Sequence, residues 1–170
     1  MADTSVPTLL ERRRIEGEII KPVYRLLVRD FGRQTADRII GEAIVQIAHE
    51  AGQKEAAKVS GQADLESFAK ILPMWSRGGA LEIKNIDVGP NHLNYDVTHC
   101  QYAKMYCELG LAELGFILSC RRDEAFMKGY APQVELTRTT TIMTGGSRCD
   151  FRYQLIKKEA LTKVPLPSDD

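Results

Sequence analysis

The sequence has little of several things, and each shortage removes a class of function. Charge of one sign is missing: 23 Lys and Arg balance 23 Asp and Glu. With no net field, neither nucleic acid nor an anionic lipid surface is a favoured partner, and a small neutral or zwitterionic molecule is the expected one. No run of about 18 apolar residues occurs, so no membrane-spanning helix is expected. Met1 to Pro7 lacks an apolar stretch behind a basic start, which sets a cytoplasmic location as the expectation. The four cysteines, Cys100, Cys107, Cys120 and Cys149, contain no Cys-x-x-Cys pair. A disulfide framework or a zinc ribbon is therefore not indicated, and the thiols are expected to be reduced. Histidine is scarce as well, at three residues, which narrows the choice of general bases.

What is present is an ordinary globular composition, 44% hydrophobic and 27% charged. At 170 residues the chain fits one domain with a real core. That domain is expected over residues 8–156, between a flexible tail at 1–7 and a second tail at 157–170. An apolar-striped helix runs from Thr8, and Pro22 either kinks it or restarts a second helix at Val23 to Phe31, closed by Gly32. Thr35 is the expected N-cap of the next helix, whose face carries Ile39, Ile40, Ile44, Ile47, Ala48 and Ala51 up to about Lys58. Asp64 caps a short helix stopped by Pro73.

The period then changes from helical to alternating. Leu81 and Ile83, then Leu93, Tyr95 and Val97, flank the turn signal Gly89-Pro90-Asn91 and predict a hairpin. A helical region from His99 to about Tyr130 is interrupted near Gly110 and Arg121. Alternation returns over Val134 to Met143, and Thr144 to Ser147 predicts a second hairpin with Arg148 to Leu155. Pairing around that turn sets Asp150 opposite Thr141 and Arg152 opposite Thr139. The fold class is α+β, with N-terminal helices on an antiparallel sheet of two hairpins and further helices between them. A ligand pocket between sheet and helices is the natural concavity.

The chemistry concentrates between Asp96 and Tyr153. Cys149 shares a strand face with Phe151 and Tyr153, while Asp150 and Arg152 point the other way with Thr139 and Thr141 across from them. That polar face is either a solvated ladder or a ligand-recognising wall. Cys120 and Asp123 share a helical stripe, or Asp123 caps a new helix through free backbone donors. His99 and Cys100 sit at a strand-to-helix junction, where both can line one concavity, although adjacency alone makes no nucleophile and base pair. Tyr102 and Tyr106, four apart, read as packing residues with polar tips.

These residues resemble a family. The run Asp96-Val97-Thr98-His99-Cys100-Gln101-Tyr102, followed by Leu114-Gly115, Cys120-Arg121-Arg122-Asp123, Thr139-x-Thr141-Ile142-Met143 and Cys149-Asp150-Phe151-Arg152-Tyr153, is similar to the L-2-amino-thiazoline-4-carboxylic acid hydrolases over Trp75 to Tyr153. The resemblance implies hydrolysis of a carbon–nitrogen bond in a small cyclic amidine or amide, opening the ring to an N-carbamoyl amino acid. Such chemistry needs an attacking water or thiolate, an acid for the leaving atom and donors for the carboxylate. Cys100, Cys120 or Cys149 then serves as nucleophile, and Asp123, Asp150 or His99 as base or acid. Arg138 or Arg152 clamps the carboxylate, with Thr139, Thr141, Tyr102 and Trp75 as further substrate-binding residues.

In layout more than in letters, the chain also resembles small-ligand domains of the 4-vinyl reductase type, some of which hold zinc through cysteines and a carboxylate. That resemblance implies Cys120, Cys149 and Cys100 as metal ligands, so zinc stands as a candidate cofactor although no cofactor is certain. It also keeps a non-catalytic ligand-binding domain open as the alternative function. A homo-oligomer is compatible with the first helix and the Ile-rich second.

Overall fold

The computed structural model describes residues 6–156. The tails expected at 1–7 and 157–170 fall outside them, apart from residues 6 and 7. The chain opens with two long helices, α1 (Leu9–Phe31) and α2 (Arg33–Ala56). Helix α1 starts in a capping box, in which Thr8 Oγ1 accepts from the Glu11 N–H and the Glu11 carboxylate accepts from the Thr8 N–H. It passes through Pro22 without a break, so Pro22 neither ends one helix nor starts another. Gly32 is the only residue between the two helices, and its φ of 79° makes the reversal that a side chain would resist. Helix α2 therefore begins at Arg33 with Gly32 at its N-cap; the expected cap at Thr35 lies inside the first turn.

The short helices α3 (Leu65–Ile71) and α4 (Pro73–Ser76) follow. Asp64 caps α3 as expected, its carboxylate accepting from Ser67 N at 2.8 Å. Pro73 does not merely stop α3 but occupies the first turn of α4, where its missing N–H costs nothing.

The sheet is four-stranded and antiparallel, in the order β1 (Leu81–Gly89), β2 (His92–Cys100), β4 (Cys149–Leu155), β3 (Val134–Thr137). The first hairpin is as predicted, with irregular register between Lys84 and Asp87, where Asn85 has a φ of 54°. Between β2 and β3 lie α5 (Gln101–Glu108), a π-helical turn at Phe116–Cys120, and α6 (Arg121–Tyr130). The interruptions predicted near Gly110 and Arg121 are both present.

The second hairpin departs from expectation. Strand β3 ends at Thr137, which pairs with Arg152, so neither Thr139 nor Thr141 lies in the ladder. The reason is a competing acceptor. Asp150 takes the Thr139 N–H at 3.0 Å, the Thr140 N–H at 2.8 Å and the Thr139 hydroxyl at 2.6 Å. Thr141 Oγ1 then accepts from Thr144 N at 3.2 Å and caps a 3₁₀ turn. Backbone donors that alternation assigned to a strand are used in a clasp.

One face of the sheet, with Leu93, Tyr95, Val97, Cys149, Phe151 and Tyr153, is buried against α3 and α6. Helices α2 and α6 approach closely because one glycine on each faces the other's backbone. A Cβ on Gly52 would lie 2.1 Å from the Phe126 carbonyl oxygen, and one on Gly129 2.1 Å from that of His49. A second apolar cluster joins α1, α2 and α5 through Ile40, Ile44, Met105 and Tyr106.

Candidate functional site

Between the buried sheet face and the helices lies a cavity of about 300 Å³, at the small end of ligand-binding pockets. Phe68, Trp75, Phe126, Tyr95, Phe151 and Tyr153 give it aromatic walls. They pack as a continuous set, from Trp75 edge-on to Phe126 at 5.1 Å to Tyr95 stacked on Phe151 at 4.8 Å. The three thiols of Cys100, Cys120 and Cys149 open into the same space from β2, the π turn and β4.

Two groups of charges interrupt these walls. In the first, Arg138 Nη1 donates to Asp123 Oδ2 at 2.5 Å and Arg138 Nη2 to the Cys120 carbonyl at 2.9 Å. The guanidinium also lies 4.9 Å from the centre of the Phe151 ring. Asp123 sits in the first turn of α6 without capping it, since the N-cap position is held by Cys120 and has no side-chain bond. Its side chain is 24% exposed, and that surface opens to the cavity. Burial pushes its pKa above the ordinary carboxylate range, against the opposing pull of Arg138.

In the second group, Glu16 of α1 accepts from Arg13 Nη1 at 2.8 Å and from Arg122 Nη2 at 3.0 Å. Arg122 Nε also donates to the Leu118 carbonyl of the π turn at 2.7 Å. Two guanidinium groups thus share one carboxylate and leave a surplus positive charge on the cavity wall. Burial, with Arg13 beside it, pushes Arg122 down to about 10, so it stays charged at neutral pH. Pushed up by burial, the thiols of Cys100, Cys120 and Cys149 stay protonated there.

Of the residues singled out from sequence, Cys100, Cys120, Asp123, Cys149, Arg138, Tyr102 and Trp75 line the cavity together. Tyr102 Oη donates to the Trp75 carbonyl at 3.2 Å and ties α5 to α4. The others lie elsewhere. His99 is exposed opposite Glu82 at the end of the first hairpin. Asp150, Thr139 and Thr141 form the clasp described above. Arg152 is turned to the far face of the sheet, where it donates to Asp96 Oδ1 and to the Tyr95 carbonyl, both at 2.8 Å. Sequence reasoning missed Arg13, Glu16 and Arg122. The one signal was the Arg12-Arg13-Arg14 run on an otherwise amphipathic helix.

Among the described residues, no group of three or more His, Cys, Asp and Glu side chains is placed to hold a metal ion. Cys100, Cys120 and Cys149 share a wall without converging on one point, and Arg138 sets a cation against the nearest carboxylate. This set does not fit zinc.

Fold and cavity together define a small α+β domain with a cavity of small-molecule size between a sheet and its helices. The chain belongs to the L-2-amino-thiazoline-4-carboxylic acid hydrolase family, whose description matches residues 12–153. No curated protein matches it closely enough to serve as a relative. Among solved structures, it is similar in fold to the phenol-responsive sensory domain of the transcription activator PoxR with phenol. That likeness has a TM-score of 0.53 at 8% identity, covering 82% of this chain and 74% of that one. A weaker likeness, TM-score 0.43 at 10% identity over 85% and 97% of the two chains, is to a trafficking protein particle complex subunit 3 from Naegleria fowleri covalently bound to palmitic acid. No helix among the described residues is long and apolar enough to cross a membrane.

Proposed function

We propose that the cavity hydrolyses a small cyclic amidine bearing a carboxylate, of the 2-amino-thiazoline-4-carboxylate kind, with water as nucleophile and Asp123 as its base. The observation that carries this reading is the placement of two unlike charge groups on one aromatic cavity. Arg13 and Arg122, sharing only Glu16, suit the substrate carboxylate. Asp123, held by Arg138 and raised in pKa by burial, suits proton transfer at the amidine carbon.

Water adds to C2 across the C2=N bond: the carbon–oxygen bond forms, and one water proton passes by way of Asp123 to the ring nitrogen, which receives the π electrons. Collapse of the tetrahedral centre turns the remaining hydroxyl into the carbonyl and breaks a ring bond, and Asp123 takes the hydroxyl proton and delivers it to the leaving atom. An N-carbamoyl product keeps the ring nitrogen on C2, so in a thiazoline the broken bond is C2–S and a thiol is released. Cleavage of C2–N would give the S-carbamoyl isomer. The carbon–nitrogen cleavage expected from the sequence resemblance therefore suits a hydantoin-like ring, whereas a thiazoline giving this product opens at sulfur. Because burial keeps the three cysteines as neutral thiols, attack by a thiolate would first require a costly deprotonation.

A non-catalytic ligand-binding domain is the second reading, favoured by the continuous aromatic wall. Incubating the purified chain with 2-amino-thiazoline-4-carboxylate and with hydantoin, with mass-spectrometric identification of products, separates the two. N-carbamoylcysteine formation supports the hydrolase. Saturable binding of both compounds without any product supports the binding domain.

A further inference from the structure

Helix α1 is amphipathic twice over. Leu10, Ile20, Tyr24 and Leu27 pack on the second apolar cluster. Ile15, Ile19, Val23 and Leu26 form another stripe on a separate, outward side, and they are 54%, 64%, 45% and 50% exposed. At about 100° per residue these four fall within a single arc of roughly 80°, too ordered for scattered surface residues. The charges that flank the stripe are ordered too. Glu11, Glu18, Arg25 and Arg29 run along one border, while Arg12 and Asp30 lie in line with the stripe beyond its two ends, all exposed, and Arg29 and Asp30 pair with each other at 2.6 Å. Acidic residues open the border and basic residues close it; the two end positions run in the opposite sense.

We propose that this face of α1 is a dimer interface on which a second copy of the chain packs antiparallel about a twofold axis near residue 21. In that register Ile15 of one copy meets Leu26 of the other and Ile19 meets Val23. Along the border Glu18 faces Arg25 and Glu11 faces Arg29; at the ends of the stripe Arg12 faces Asp30. Every flanking contact is between opposite charges, and the twofold axis repeats each one. Glu18 and Arg25 have no ion pair among the described residues, and seven residues of helix hold them too far apart to meet within one chain. The pairing is independent of what the cavity binds, but it bears on the same helix that carries Arg13 and Glu16.

Sedimentation equilibrium of the full chain tests this. The expected result is twice the chain mass at micromolar concentration, and the chain mass for Ile19→Asp with an unchanged circular dichroism spectrum. Glu18→Arg and Arg25→Glu alone should each weaken association on the order of tenfold or more, since symmetry makes every reversal count twice, and the double variant should restore it. A monomeric wild type at high micromolar concentration overturns the proposal. So does a dimer indifferent to Ile19→Asp, failure of the double reversal to rescue, or dimerisation that begins only when residues 157–170 are removed, which would make the tail the natural cover of this face.

Discussion

Replacing Asp123 with Asn keeps the shape of the side chain and removes its charge, which acts on stability and on turnover separately. Breaking a buried ion pair by removing one partner costs about 3–5 kcal/mol. Here the amide still offers Arg138 an oxygen, the Cys120 carbonyl keeps its own bond to Arg138, and the 24% exposure of Asp123 toward the cavity admits solvent. These features reduce the expected loss to about 2 kcal/mol, or a fall in Tm of roughly 4–8 °C for a chain of this length. Loss of a general base is a larger effect, about 10²- to 10⁴-fold in kcat. The folded-state pKa of Asp123 is raised, so the carboxyl favours folding most at low pH, and that contribution is lost as pH rises through the raised value. The stability gap between wild type and variant should accordingly widen as pH falls through the raised value and narrow above it. The acid limb of kcat/KM should lie above the ordinary aspartate range in wild type and vanish from any residual activity of the variant. Thermal unfolding and steady-state ring opening across pH 4–8 (about the working range for such a titration) check both. A folded variant with kcat within tenfold of wild type would refute the assignment of Asp123 as the base.

Other outcomes follow from the same geometry. Cys100→Ala, Cys120→Ala and Cys149→Ala should each leave kcat within about tenfold, because protonated thiols are walls and not nucleophiles; a hundredfold loss in a folded variant, or a trapped acyl adduct by mass spectrometry, would establish a thiol mechanism. Arg13→Met should raise KM about ten- to hundredfold for carboxylate-bearing substrates, with little effect on the corresponding amide, since a charge-assisted hydrogen bond contributes about 1.5–3 kcal/mol; equal losses for acid and amide would remove Arg13 from carboxylate binding. Gly52→Ala should cost about 3 kcal/mol, a fall in Tm of roughly 6–12 °C, because its Cβ would press on the Phe126 carbonyl; an unchanged Tm would mean that α2 and α6 part without cost. Asp150 behaves oppositely to Asp123 with pH. Burial alone would raise its pKa, but the bonds from Thr139 and Thr140 outweigh it and hold the carboxyl below the usual range. Its stabilisation is therefore present above the unfolded value and lost as pH falls through the depressed one, so Asp150→Asn should flatten acid unfolding measured by circular dichroism.

Period 2 along β4 assigned Cys149, Phe151 and Tyr153 to one face, and that face is the cavity wall. Helical spacing likewise found Ile40, Ile44 and Ala48, and Asp64 was readable as a cap because the short carboxylate next to a fresh helix has local donors to satisfy. The same alternation misread Thr139 and Thr141, since it cannot register that Asp150 competes for their backbone donors from the neighbouring strand. It also distinguishes two sheet faces without saying which one the helices cover. That is how Asp150 and Arg152 came to stand as candidates beside Cys149, although they occupy the far side. The Arg13, Glu16 and Arg122 group was not legible at all. Glu16 and Arg122 are 106 residues apart, and arginines on a long helix ordinarily serve its solvated side; only packing of α1 across the mouth of the sheet gives Arg13 a cavity to face. Asp123 was readable as a helix-start residue, but its partner Arg138 lies beyond α6 and β3, where no local pattern joins the two.

The most direct test of the account is a crystal structure of Asp123→Asn in complex with 2-amino-thiazoline-4-carboxylate, in which slow turnover preserves the substrate. The substrate carboxylate is predicted to lie against Arg13 and Arg122, with the amidine carbon facing residue 123 between the aromatic walls. Density for the ligand on the outer face of the sheet beside Asp96 and Arg152, or an empty cavity at saturating ligand, would contradict it.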